Sequence, residues 1–269
     1  MARQLRRLMG ALAAAAACTA APAAPPLWIS DIDGTLGTVD LGDGAVTIVG
    51  QMPVIMSDIA FDASGRLWGV SASSALYRID RNSAAVTLVR GIGQHVNSLV
   101  FGPDGQLYAA NTELMTLNPQ TAAVTLIGGW GGYASSGDLA FVGASLYLSS
   151  RTPTDDTLFR LDRLTGAGTQ VGNGITAGSV FGLATNDNVH LYGVSGNRVL
   201  SIDPLTGAGQ VIQTYNPDSG LGQAYGTAFT TEAAAPVPEP ATAWLLGLGL
   251  LCWALRRWHQ LGKGAAQAV

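Results

Sequence analysis

Between residues 57 and 212 the chain repeats one pattern of short apolar–polar alternations. Ser57-Asp58-Ile59-Ala60-Phe61 is followed by Leu67-Trp68-Gly69-Val70, then Ala75-Leu76-Tyr77-Arg78-Ile79, then Ala85-Val86-Thr87-Leu88-Val89. The next unit reads Asn97-Ser98-Leu99-Val100-Phe101, Leu107-Tyr108-Ala109-Ala110, Leu114-Met115-Thr116-Leu117 and Val124-Thr125-Leu126-Ile127. A third unit opens at Asp138-Leu139-Ala140-Phe141 and a fourth at Gly182-Leu183-Ala184. The anchors Ile59, Leu99, Leu139 and Leu183 lie 40, 40 and 44 residues apart. Alternation at period two, broken by Gly, Asp-Gly and Thr-Gly turns, predicts antiparallel hairpins. Glycine and β-branched residues in every segment disfavour helix. Four strands in about 40–45 residues is the repeat of a propeller blade.

The flanks of this region complete the pattern. Leu27-Trp28-Ile29, Thr35 to Leu41 and Ala45 to Val49 supply three strands without a first one, and Tyr225-Gly226-Thr227-Ala228-Phe229 supplies a first strand alone. Paired, they make one blade from both ends of the body and leave no open sheet edge at the seam. The expected fold is therefore all-β: a β-propeller of five four-stranded blades closed by its N- and C-terminal strands. A solenoid or sandwich of the same hairpins is the rival architecture. Blades reading Leu-Tyr-Gly, Ile-Asp and Thr-Gly, as at Leu191-Tyr192-Gly193, Ile202-Asp203 and Thr206-Gly207, resemble a loose class of bacterial propellers. That class hosts binding modules and enzymes alike, so the resemblance bears on fold.

Charge narrows the partners. From Leu27 to Pro236 there are eight arginines and no lysine against seventeen acids, a formal balance of −9. A lysine-free acidic body argues against nucleic acid, whose phosphates need clustered cations. The two cysteines, Cys18 and Cys252, both fall in terminal segments. With those segments processed, the body has no thiol to form a disulfide.

Residues 1–23 read as a secretory signal peptide. Arg3, Arg6 and Arg7 precede an apolar stretch from Leu8 to Ala17, and Ala21-Pro22-Ala23 predicts cleavage before Ala24. At the other end, residues 233–240 form a Pro/Ala linker. Ala241 to Leu255 follow without a charge, and Arg256-Arg257 close the run. As a helix these residues reach about 22 Å, short of a bilayer core of about 30 Å, so spanning needs local thinning. The arginines place residues 258–269 in the cytoplasm and the body outside. A buried helix of the domain is the weaker reading, since apolar side chains would surround it completely.

Pro238-Glu239-Pro240, a short apolar helix and Arg256-Arg257, in that order at the terminus, resemble the PEP-CTERM sorting signal of Gram-negative bacteria. The resemblance implies processing near Pro238-Glu239-Pro240 by an exosortase-type membrane peptidase. It also implies transient anchoring in the inner membrane, then delivery to the cell surface or exopolysaccharide matrix. The tail from Trp258 to Val269 is longer than the few basic residues that usually end such signals.

No catalytic motif appears in the body. His95 and His190 sit on different blades without metal-type neighbours, and no Gly-x-Ser-x-Gly or His-Glu-x-x-His occurs. The aligned phenylalanines Phe61, Phe101, Phe141 and Phe229 bring Asp58, Ser98, Asp138 and Gly226 into register three places earlier, with Gly182 in the remaining blade. Asp58 and Asp138 are expected to face the central channel, as ligand-binding residues, as partners of neighbouring backbone, or as weak Ca²⁺ ligands. No other metal or cofactor is expected. Trp130 and Tyr133, in Gly128-Gly129-Trp130-Gly131-Gly132-Tyr133, are candidates for an exposed aromatic platform for sugars, whereas Trp68 reads as core. Asp31-Ile32-Asp33-Gly34 reads as a hairpin turn and Asp155-Asp156 as a solvated loop. The expected protein is a non-catalytic surface or matrix protein contacting protein or polysaccharide through a propeller face. The alternative is a secreted metal-dependent lyase or lactonase with a channel-centred site.

Overall fold

Hairpins account for nearly the whole body. The computed structural model describes residues 24–153 and 155–233; the expected signal peptide, most of the linker, the sorting helix and the tail lie outside the described residues. The chain opens with β1 (Leu27–Asp31), β2 (Thr35–Val39) and β3 (Val46–Gln51). Next come β4 (Met56–Phe61), β5 (Leu67–Ser71), β6 (Ala75–Ile79) and β7 (Val86–Gly91), then β8 (Ser98–Phe101), β9 (Leu107–Ala110), β10 (Leu114–Leu117) and β11 (Val124–Gly128). The fourth and fifth groups are β12 (Ser135–Val142), β13 (Ser145–Ser150), β14 (Thr157–Leu161) and β15 (Gly168–Val171), and β16 (Gly182–Ala184), β17 (Leu191–Ser195), β18 (Arg198–Ile202) and β19 (Gly209–Thr214). A last strand, β20 (Ala224–Ala228), pairs antiparallel with β1, Trp28 opposite Ala228 and Ser30 opposite Gly226.

The result is five antiparallel four-stranded sheets. Their first strands touch in cyclic order, β20 to β4, β8, β12, β16 and back to β20. This is the five-bladed propeller expected from the repeats, closed by the expected pairing of terminal strands. We number the blades from the one built of β20 and β1–β3.

Each outer hairpin turns on the same chemistry. Asp40, Asp80, Asn118, Asp162 and Asp203 each accept the backbone N–H two residues on through a side-chain oxygen. Four residues after each, the chain adopts positive φ, at Gly44, Ala84, Ala122, Gly166 and Gly207. Asx turns of this kind tie the turn to its own side chain, and the left-handed residue sets the strand direction.

Packing between blades follows from the repeats as well. There are five apolar clusters, one at each blade interface. At four interfaces an aromatic ring on the second strand meets the inner-strand phenylalanine of the next blade: Trp28–Phe61, Trp68–Phe101, Tyr108–Phe141 and Tyr192–Phe229, at centroid separations of 5.4–6.2 Å. Such pairs add about 0.5–1.5 kcal/mol beyond area burial. At the fifth interface Thr185 stands where the others carry phenylalanine, and Tyr147 packs among Leu183 and Leu191.

Candidate functional site

Five inner strands converging on one axis leave little room, and the side chains there are graded from small to acidic. Three layers can be followed from one end of the axis to the other. β4, β12 and β20 reach the first layer themselves, whereas Asn97 and Phe181 stand one residue before β8 and β16.

The first layer is a pocket of about 190 Å³ lined by Ser57, Asn97, Ser136, Gly137, Phe181 and Tyr225. Every blade contributes. All but Gly137 are half-buried in a stretch of chain where almost every neighbour is buried. Local backbone irregularity exposes two of them: the strand register shifts between Met56 and Asp58 in β4, and between Ser135 and Leu139 in β12. Bulges of this type re-aim side chains and concentrate at barrel rims and binding sites. The Phe181 and Tyr225 rings meet edge to face at 5.7 Å. Asn97 donates its amide to the Ser135 carbonyl at 3.1 Å, while its Oδ1 is buried with no donor among the described residues.

The second layer closes the channel. Asp58, Ser98 and Asp138 are fully buried, and Gly182 and Gly226 complete the ring. A Cβ on Gly226 would lie 2.4 Å from the Asp58 Cα, so only glycine lets that strand approach. Asp58 accepts the Ile59 N–H at 2.7 Å through Oδ1 and the Leu99 N–H of the next blade at 2.6 Å through Oδ2. Asp138 accepts Leu139 N–H at 2.6 Å, Leu183 N–H at 2.7 Å and the Thr227 hydroxyl at 3.0 Å. Asp58 therefore ties blade 2 to blade 3, and Asp138 ties blade 4 to blades 5 and 1.

The two carboxyls also face each other at hydrogen-bonding range. Burial, then repulsion from Asp138, pushes the Asp58 carboxyl well above the ordinary range. Burial likewise pushes Asp138 up to about 8. Two buried carboxyls facing each other cannot both ionise near neutrality, so the pair holds at least one proton. This donor set does not suit Ca²⁺, which takes six to eight oxygens; its oxygens already serve backbone N–H groups. Among the described residues no group of three His, Cys, Asp or Glu gathers as a metal site.

The third layer was not foreseen. After β20 the chain crosses the far end of the axis, with Phe229 fully buried and Ala233 packed beside Trp68 and Phe101. Glu232 is buried here, and its Oε1 has no partner among the described residues. Burial, then repulsion from Asp138, pushes its carboxyl well above the ordinary range. Between the usual carboxyl range near 4 and that raised value, the folded state binds a proton the unfolded chain releases, so stability falls as pH rises. Glu232→Gln is expected to raise the melting temperature at pH 8 by about 2–4 °C, equivalent to about 1 kcal/mol in a domain this size, and to change little at pH 4. Thermal scans at both values check this.

The other sequence candidates separate. Trp130 is 78% exposed, as expected, but Tyr133 is only 3% exposed. Its hydroxyl donates to the Gly166 carbonyl and its ring packs on Phe159, so the glycine-rich stretch folds inward and no two-ring platform forms there. Trp68 is core, its indole N–H donating to Asp62. The expected solvated Asp155-Asp156 loop is corrected too: Asp156 is buried, accepting the Val180 N–H at 2.7 Å, while Asp155 accepts Gly178 N–H. Asp31 accepts from Asp33, Thr35 and Gly222, an anchored hairpin turn as expected. Ser57, Asn97, Ser136, Phe181 and Tyr225 escaped sequence reasoning, although each precedes or neighbours the aligned ring of Asp58 by one or two positions.

The last strand of the propeller ends at Ala228, and ten residues later begins the ordered set of Pro-Glu-Pro, apolar run and arginine pair. Residues 236–257 match the model of the PEP-CTERM protein-sorting motif. This chain carries a PEP-CTERM sorting signal. The motif marks an exported protein, sorted through a membrane-anchored step to the surface of a Gram-negative cell and recognised by exosortase processing. No curated protein matches the chain significantly. Among solved structures, a protein of unknown function from Bacteroides thetaiotaomicron VPI-5482 is similar at 16% identity and TM-score 0.52, over 78% of this chain and 65% of that one. The PEP-CTERM chain thus spans about two thirds of that relative's length. A symmetrical protein of de novo evolutionary emergence is 17% identical over 80% of this chain and all of that one, at TM-score 0.49. The gluconolactonase XC5397 of Xanthomonas campestris is 18% identical over 75% and 76% of the two chains, at TM-score 0.45. At such identities the first likeness shows the fold alone, and the other two carry no further weight.

Proposed function

We propose that this PEP-CTERM protein is a non-catalytic component of the cell surface or extracellular matrix that contacts polysaccharide or protein through the propeller face around its axial pocket. One observation carries this reading. The pocket is lined by polar side chains and two aromatic rings, while Asp58 and Asp138 on the axis beneath it are sealed from solvent and occupied in tying blades together. General acid–base or metal chemistry needs a titratable group within reach of the substrate. Binding needs only the rings and hydrogen-bonding groups.

Ala233, the last described residue, lies beside Asp62, Phe101 and Gly102, at the end of the inner strands opposite the pocket.

Intact mass of the protein from a native-like host, separated into membrane and released fractions, tests the processing. A released species starting near Ala24 and ending near Pro238 is the expected product. A species retaining Val269 and confined to the membrane would mean a permanent anchor. Retention of the released protein on isolated matrix polysaccharide tests the contact. Turnover of a polysaccharide or lactone, abolished by Asn97→Ala, would replace the binding reading with an enzymatic one.

A further inference from the structure

We propose that the axial pocket takes a single uncharged sugar ring, presented at the end of a saccharide chain. This rests on the surface-contact reading above and names the ligand for its site.

Size comes first. Sites for drug-sized ligands run to about 300–1,000 Å³, whereas this pocket holds about 190 Å³. It closes below on the buried ring of Asp58, Ser98, Asp138, Gly182 and Gly226. A cup closed at its base and fed by five inner strands has no second opening through which a polymer could thread. One ring fits, and the chain attached to it must leave through the mouth.

Chemistry selects the class. A pyranose presents axial and equatorial C–H groups on a face and hydroxyls around its edge. Phe181 and Tyr225 offer aromatic surface for the former, set at an interplanar angle of 79° so that two sides of a ring are met at once. Ser57, Asn97 and Ser136 line the same pocket with polar side chains, the Asn97 Oδ1 buried in its wall without a donor among the described residues. A buried acceptor left open costs about 1–3 kcal/mol, part of which a ligand hydroxyl would recover once the side chain turns toward it.

Charge sets the limit. No cationic side chain lines the pocket, and the Asp58–Asp138 pair beneath it is buried. An anionic ring would lose its hydration there with no counter-ion to replace it. Uronates, sialic-type acids and phosphorylated sugars are therefore excluded, and neutral hexoses or N-acetylhexosamines remain.

The test uses the mature protein and a panel of methyl glycosides: neutral hexosides, N-acetylhexosaminides and the matching uronates, titrated by calorimetry and by ¹H saturation transfer. At least one neutral glycoside is expected to bind in the millimolar range, and no uronate. Phe181→Ala and Tyr225→Ala are each expected to weaken binding about 5–10-fold, the loss of one aromatic contact, and to lower the melting temperature by only a few degrees, the loss of their edge-to-face pair. Asn97→Leu, which keeps the side-chain volume and removes the acceptor, is a second variant expected to weaken binding. Binding of uronates as tightly as neutral sugars, or unaltered binding by both aromatic variants, overturns the assignment. So does the absence of binding by every neutral glycoside. If wild type and Phe181→Ala are retained equally on matrix polysaccharide, the pocket assignment falls while the surface reading stands. If wild type is not retained at all, the surface reading falls, and the glycoside titration decides the pocket by itself.

Discussion

Asp138→Ala is expected to lower the melting temperature by about 8–16 °C, corresponding to about 4 kcal/mol or more in a domain of this size. The substitution strips acceptors from Leu139 N–H, Leu183 N–H and the Thr227 hydroxyl, all buried on the axis. Each buried donor left open costs about 1–3 kcal/mol. Against a total stability of about 5–15 kcal/mol, the loss is large enough to threaten folding at growth temperature.

The effect has a signature that a generic packing loss lacks. Asp138 titrates at about 8 because of burial, whereas an unfolded aspartate titrates near 3.9. Across that window the folded protein binds more protons than the unfolded chain. Wild-type stability therefore declines as pH rises from about 4 to about 8. Removing Asp138 removes much of this slope, so the deficit of the variant is expected to be larger at pH 5 than at pH 8. Asp62 acts in the opposite direction and elsewhere on the scale. Burial opposes its charged form, yet hydrogen bonds from Ser64, Trp68 and Arg66 outweigh that and hold its carboxyl well below the ordinary range. Its contribution is present above about pH 4 and is lost as pH falls further. Together the two groups place their combined maximum of stability near pH 4–5. Denaturant titrations of wild type and variant across pH 3–9 measure both arms; a pH-independent deficit for Asp138→Ala would refute the protonated-pair account.

A chain ending at Gln223 is expected to lose cooperative unfolding altogether. It lacks β20, the innermost strand of blade 1, and with it Ala224, Ala228 and Phe229, which are buried between blades 5, 1 and 2. Thr227, a partner of Asp138, goes too. The inner edge of β1 would then carry unpaired backbone groups facing the axis. A thermal transition within a few degrees of wild type would show that the ring does not depend on this strand. A permuted chain isolates the cause. In every other blade the inner strand precedes its neighbour through a short turn, and Ala228 already lies opposite Trp28. Moving residues 224–229 in front of Leu27 through a short turn is expected to restore a cooperative transition.

The repeats made most of this architecture legible, because each blade repeats the same alternation, turn and inter-blade aromatic. Even the seam could be read, since three strands at one end and one at the other cannot both be complete. The pocket was less legible for a backbone reason. Strict alternation assigns Ser57 and Asp58 to opposite faces, but register shifts at Met56–Asp58 and Ser135–Leu139 alter that assignment, and such shifts leave no mark in composition. Glu232 was hidden differently. It lies one residue before a linker whose prolines and alanines resemble solvent-exposed chain, and only the crossing of the axis buries it. Tyr133 shows the limit of reading a glycine cluster as an open loop, since those glycines allow the close approach of Gly128 and Gly131 to the turn at Thr165-Gly166.

The seam between β20 and β1 also fixes the order in which the molecule can be finished. A chain threaded through a membrane N-terminus first delivers β1–β3 early and completes blades 2 to 5 in sequence. The first blade waits, its inner edge open, until β20 arrives immediately ahead of the Pro-Glu-Pro segment. Completion of the ring thus coincides with arrival of the sorting signal at the membrane. The strand that completes the fold is separated from Pro238 only by residues 229–237, so closure of the ring and emergence of the sorting signal are adjacent events along the chain.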